Sequence, residues 1–152
     1  RNRTGIVAAG LASAGPRTDY ALNVAINDPL GSLHLSNDTK QRLEKISDGT
    51  SNTILIGQKA MRRGDYEATT GYTGYDGSIL MGGYGSTARG RDASLAQDKP
   101  GSGYSDFSAF GSPFNGGALL GFADGSVRSI TYSNSQTANM IAPADGQVIS
   151  FD

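Results

Sequence analysis

The sequence predicts an α+β fold that is mostly β: an antiparallel sheet, one or two short helices and a long glycine- and tyrosine-rich excursion. Three observations predict it. Residues 110–132 set two apolar, β-prone segments on either side of Asp124-Gly125, a strong short-range hairpin signal, because a type I′ turn needs positive φ at both central residues. Thr53-Ile54-Leu55-Ile56 is a β-branched and apolar run bounded by turn residues. Glycine supplies 22 of the 152 residues and charged side chains only 18%, a balance that suits loop-rich β structure.

The elements follow in order. Residues 1–16 are small and apolar, end in Gly15-Pro16 and show no clear period. From Thr18 to Ile26, Tyr20, Leu22, Val24 and Ile26 recur with the period of two expected of a half-buried strand. Asp28-Pro29 and Gly31 break the pattern, and Leu33 to Leu35 resumes it briefly. Asn37-Asp38 followed by Gln41 looks like a helix N-cap with its reciprocal partner. Leu43 and Ile46 add a thin apolar stripe before Gly49, so a short helix is predicted over about 39–47. Thr53 to Ile56 does not alternate, which predicts a strand buried on both faces at the centre of the sheet.

From Gly64 to Gly103 aliphatic residues are scarce outside Ile79, Leu80 and Met81, and the stretch reads as an ordered excursion across the surface with one strand at 78–82. A connection this long points to function or to packing against a neighbour. The hairpin at 110–132 follows. In the tail, Ala138, Met140 and Ile141 predict a helical turn, Asp145-Gly146 a tight turn, and Val148 to Phe151 a last strand. The length suits one domain, 1–152, and the Asp-Gly pairs at 48-49, 76-77, 124-125 and 145-146 are repeated turn chemistry within it, not repeated domains.

Composition removes several function classes. Thirteen basic against 14 acidic side chains give no field to attract nucleic acid or an anionic membrane. The absence of cysteine excludes disulfides, thiolate metal sites and a cysteine nucleophile. No apolar run approaches the roughly 20 residues that cross a bilayer. A hydrolase needs a base beside its nucleophile, and the only histidine is His34, which alternation places opposite Leu33 and Leu35 as an ordinary strand side chain. The chain therefore reads as a protein without catalysis. Gly82-Gly83-Tyr84-Gly85 lacks the spacing and the lysine of a phosphate loop. Tyr66, Tyr72, Tyr75, Tyr84 and Tyr104 are the binding candidates: they can cover their own sheet, meet another subunit or stack on a sugar, since a tyrosine buries large area at low entropy cost and keeps a polar tip.

Four blocks resemble, in order, a large bacterial family of prepilin-type, pilin-like secreted proteins. These are Arg17-Thr18-Asp19-Tyr20-Ala21; Ile46 to Gly57, which carries Ser-Asp-Gly-Thr-Ser-Asn-Thr followed by an apolar run; Gly71 to Asp76; and Phe110 to Ile130 with Asp145 to Ile149. Two positions depart from the family pattern: Gln58 replaces its Glu, and Phe114 stands where its His-x9-Asp-Gly signature has the His. The resemblance implies a β-rich globular domain behind an N-terminal assembly helix absent from this chain. It further implies a structural subunit of an extracellular filament or a type II secretion pseudopilus, on the surface of or secreted by a bacterium, with copies of itself and other pilin-like subunits as partners.

The alternative is an extracellular glycan- or solute-binding module that uses the tyrosines and glycines of 64–104. Pseudopilin relatives also suggest a calcium ion, for which Asp76, Asp92, Asp98 and Asp106 are the candidate ligands; the competing reading makes them solvated turn carboxylates, with no cofactor. With the imidazole replaced, the hairpin is expected to use Phe114 for apolar packing.

Overall fold

A computed structural model describes residues 17–28, 40–66, 79, 87–90, 93–99, 109–147 and 149. Its strands are β1 (Tyr20–Asn23), β2 (Ile54–Gln58), β3 (Ala88–Arg89), β4 (Ser94–Gln97), β5 (Ala109–Ser112), β6 (Ala118–Phe122) and β7 (Val127–Ile130), followed by the helix α1 (Thr137–Ile141). Five strands form one sheet in the order β3-β1-β2-β6-β7, and β4 pairs with β5 in a second.

The molecule is β-rich as predicted, but its main sheet is mixed. The β1–β2, β2–β6 and β6–β7 pairs are antiparallel, whereas β3 runs parallel to β1, and β4 runs parallel to β5. Both parallel pairs join strands separated by long connections, which leave direction free where a short hairpin would fix it. The described residues of 64–103 therefore contribute two strands and buried side chains, Ala88, Arg89, Ala93 and Asp98 among them, so this part of the chain does not run across the surface alone. The strands predicted at 33–35, 78–82 and 148–151 lie outside the described residues, apart from Ile79 and Ile149.

The first strand ends early because Asn23 redirects the chain. Its Oδ1 accepts the Ala25 N–H at 3.0 Å and caps a 3-10 turn at Val24–Ile26, while its Nδ2 donates to the carbonyls of Ile54 (2.7 Å) and Ile141 (2.8 Å). One buried amide thus ties β1, β2 and α1. The period of two is real in β1, but Ala21 and Asn23 face inward and Tyr20 and Leu22 outward.

Only a 3-10 turn, Leu43–Lys45, occupies the described part of the helix predicted at 39–47. Lys40 is left-handed (φ 49), which α-helix cannot accommodate, and the Gln41 N–H is taken by Asn27 Oδ1 at 2.9 Å. Leu43 is 61% exposed, so that stripe buries only Ile46. The tail forms the predicted helical turn as α1, whose Met140 and Ile141 enter the core with Ala21, Ile54, Leu120, Phe122 and Ile130 of the sheet and Phe110 of β5.

β2 is central, as its sequence predicts, yet buried on one face only. A bulge between Ile54 and Ile56 turns both Leu55 and Ile56 outward. The Asp124-Gly125 hairpin joins β6 and β7, but not through a type I′ turn. Gly125 alone has positive φ (86), its N–H donates to the Phe122 carbonyl at 3.0 Å, and the Phe122 N–H donates to the Ser126 carbonyl at 2.9 Å. That is a three-residue loop with a glycine bulge.

Candidate functional site

The outer face of the five-stranded sheet follows from its register. Leu22 pairs with Ile56, Ile56 with Gly121 and Gly121 with Val127, so one row of apolar or glycine positions crosses four strands. The neighbouring row pairs Tyr20 with Gln58 across β1–β2 and Leu119 with Ser129 across β6–β7, and Gln58 Oε1 accepts the Leu119 N–H at 3.3 Å. Tyr20, Leu22, Leu55, Ile56, Leu119 and Val127 are all exposed, Val127 at 68%. At the β1 end, Thr18, Tyr20, Leu22, Ile56, Ile79 and Thr87 line a pocket of about 290 Å³. Among the described residues no carboxylate, histidine or lysine stands in that lining, and those present offer apolar contact and hydroxyls.

A second constellation closes the entrance to the hairpin. Ser112 Oγ donates to the Gly117 carbonyl (2.7 Å) and accepts the Phe114 N–H (3.1 Å). Tyr132 Oη lies 2.8 Å from Ser112 Oγ and 2.9–3.1 Å from the carbonyls of Ser112, Phe114 and Gly117. Gly117 has φ 142, and a Cβ there would run into the Ile130 carbonyl, so the loop closes this tightly only with glycine at that position. The ring holds residues 112–117 in one shape and presents Phe114 to solvent at 62% exposure. Phe114 therefore does not pack inward; it is displayed, because the backbone on both sides of it is pinned to Ser112 and Tyr132.

The third cluster explains the block at 46–57. Asp48 accepts the backbone N–H groups of Asp145 (2.6 Å) and Gly146 (3.0 Å), and its own N–H donates to the Pro143 carbonyl at 3.4 Å. Asn52 Nδ2 returns to the Asp48 carbonyl and Thr53 Oγ1 to that of Gly49. The Asp124 N–H reaches the Thr50 carbonyl and the Ala123 N–H that of Thr53. Three Asp-Gly turns, far apart in sequence, thus meet around residues 48–53. At the hairpin, the Ser126 hydroxyl and backbone N–H beside Asp124 hold its carboxyl below the usual carboxylate range.

The candidates from sequence separate here. The Tyr66 hydroxyl donates to Asp98 Oδ2, and the Met61 N–H donates to Asp98 Oδ1 at 2.9 Å, so these two residues meet each other inside the molecule. Tyr72, Tyr75, Tyr84, Tyr104, Asp76, Asp92, Asp106 and His34 lie outside the described residues. Among the described residues no group of three or more His, Cys, Asp or Glu side chains is placed to hold a metal ion, and no helix is long and apolar enough to cross a membrane. The apolar row, the Ser112–Tyr132 ring and the Asp48 clip went unread in sequence; the unalternating run at 53–56 was the one available signal for the first.

Among known proteins, the model of one family, SBP_bac_10, described as a protein of unknown function (DUF1559), matches residues 9–137. No curated protein and no solved structure matches the chain.

Proposed function

Because the chain belongs to the DUF1559 family, we propose that it is the globular part of a pilin-like or pseudopilin-like structural subunit that self-assembles into an extracellular filament or secretion pseudopilus at a bacterial surface. The observation that carries this reading is the outer sheet face. A soluble monomer seldom exposes a contiguous apolar patch of several large side chains without using it, and Tyr20, Leu22, Leu55, Ile56, Leu119 and Val127 form such a patch on a rigid sheet. Phe114, displayed elsewhere on a pinned loop, gives a second apolar element to a head-to-tail contact, which propagates where a two-fold contact would close.

Sedimentation velocity over a range of concentrations, with electron microscopy of the same samples, tests this. The reading expects association that Leu119→Lys with Val127→Lys weakens by about tenfold or more, since the centre of an interface carries most of its energy. A monomer at every concentration, with or without the two lysines, would sink it. The second reading, a solute- or glycan-binding module, is supported by the pocket lined by Tyr20, Leu22 and Ile79. Saturable glycan binding by that monomer, lost in Tyr20→Ala, favours it instead.

A further inference from the structure

We propose that Asn115-Gly116 is a self-modification site, where the Gly116 backbone nitrogen attacks the Asn115 side-chain amide and turns it, through a cyclic imide, into aspartate and isoaspartate. Asn115 is the only asparagine followed by glycine in the sequence. Both residues are exposed, and a Cβ at Gly116 would meet nothing within 4 Å, so a five-membered ring has room to form. Glycine also leaves the attacking nitrogen uncrowded, with no side chain beside it.

The amide is polarised as well as accessible. Gln97 Nε2 donates to Asn115 Oδ1 at 2.6 Å. That donor draws electron density from Cγ and faces the oxygen on which negative charge builds as the nitrogen adds, in the manner of an oxyanion hole. The Ser112–Tyr132 ring fixes the loop on which Asn115 sits and keeps it opposite Gln97. In the reaction the Gly116 N–Cγ bond forms and the Cγ–Nδ2 bond breaks. The Gly116 proton leaves with the amide nitrogen as ammonia, and water then opens either imide carbonyl. No electrons change hands, and the product places a carboxylate beside Phe114.

The Asp-Gly turns show what protects a similar pair. The N–H of Gly49 donates to the Ile46 carbonyl (3.2 Å), that of Gly125 to the Phe122 carbonyl (3.0 Å) and that of Gly146 to Asp48 Oδ1 (3.0 Å). Each nitrogen is therefore engaged with an acceptor other than its own aspartate, and each of these side chains already accepts a backbone N–H. The Gly116 N–H has no acceptor among the described residues. Asn23 and Asn52 have their side-chain amides engaged with backbone carbonyls, and neither precedes glycine.

Peptide mapping by mass spectrometry, with isoaspartyl methyltransferase labelling, after holding the purified chain in mildly alkaline buffer tests the proposal. Asn115 should convert ahead of Asn23, Asn27, Asn52, Asn134 and Asn139 by about tenfold. Gly116→Ala should slow it by about tenfold; the variant keeps its fold, because φ at Gly116 is not left-handed and the added Cβ meets open space. Gln97→Ala should slow Asn115 by about threefold and leave Asn134 unchanged. An Asn115 that stays intact in the folded chain while a free peptide of residues 112–117 converts overturns the proposal. So does a Gly116→Ala variant that reacts at the parent rate.

Discussion

The two faces of the five-stranded sheet carry similar side chains and meet opposite surroundings. Inward, Ala21, Ile54, Leu120, Phe122 and Ile130 are sealed under α1 and Phe110. Outward, Leu22, Ile56, Leu119 and Val127 are exposed, although Leu22 and Leu119 directly adjoin buried Ala21 and Leu120 in sequence. An antiparallel sheet with one wet face normally alternates apolar with polar. Here the alternation is between apolar residues that are covered and apolar residues that are not. Burial on folding is concentrated on the inner face, and the outer face keeps its large apolar side chains exposed.

The sharpest way to break that contrast is to truncate neighbours. Leu120 is fully buried and Leu119 is 45% exposed on the same strand. Leu120→Ala should cost about 3 kcal/mol or more in urea unfolding, through lost burial and the cavity left behind. Leu119→Ala should stay within about 0.5 kcal/mol. Equal losses would mean that the outer face is covered and that the comparison is wrong.

The adjacent glycines make a smaller version of the same test. A Cβ on Gly57, facing inward, would fall 2.5 Å from Leu120 Cδ2 and 2.7 Å from Phe110 Cδ1. One on Gly121, facing outward, would meet only Ile56 Cγ2 at 3.0 Å before the Ile56 carbonyl at 3.6 Å. Gly57→Ala should therefore cost about 1–3 kcal/mol by overpacking, measured by thermal or urea unfolding. Gly121→Ala should cost under about 1 kcal/mol, because an exposed isoleucine can swing aside.

What the sequence made legible follows the same division. Strand existence was visible at 20–23, 54–56 and 118–130, since β-branched runs and Asp-Gly turns are local signals. Which face each strand buries was not, because Tyr20 and Leu22 are as apolar as any core residue; the bulge after Ile54 and the cap at Asn23 decide it, and both depend on distant partners. The helix expected at 39–47 gives way to Lys40 in a left-handed turn, again a local pattern overruled by a remote contact, that of Asn27 with Gln41. Of the binding candidates, Tyr66 could not be told from its neighbours in sequence. Only the fold brings Asp98 to its hydroxyl. The block around Asp48 stood out as a motif, but its partners, Asp145 and Gly146, lie almost a hundred residues away and no spacing announces them.

The smallest effect sharpens the comparison at the turn that holds both faces in register. Loosening the Asp124-Gly125 loop would move inward-facing Phe122 and outward-facing Val127 together, since Phe122 N–H closes the loop on Ser126 and Val127 follows directly. The Asp124 carboxyl is held below its ordinary 3.8, first by the Ser126 hydroxyl and then by the Ser126 N–H. A carboxyl lowered on folding adds stability that is complete above 3.8 and is lost as pH falls through the lowered value. Because the side chain is fully exposed, the effect belongs to the turn and not to global unfolding. In an acid titration followed by NMR, the Ser126 amide should shift at a pH below the ordinary carboxylate range, and Asp124→Asn should abolish that step without altering Leu119 or Leu120. A step that persists in the variant would show that another group, not Asp124, governs the turn.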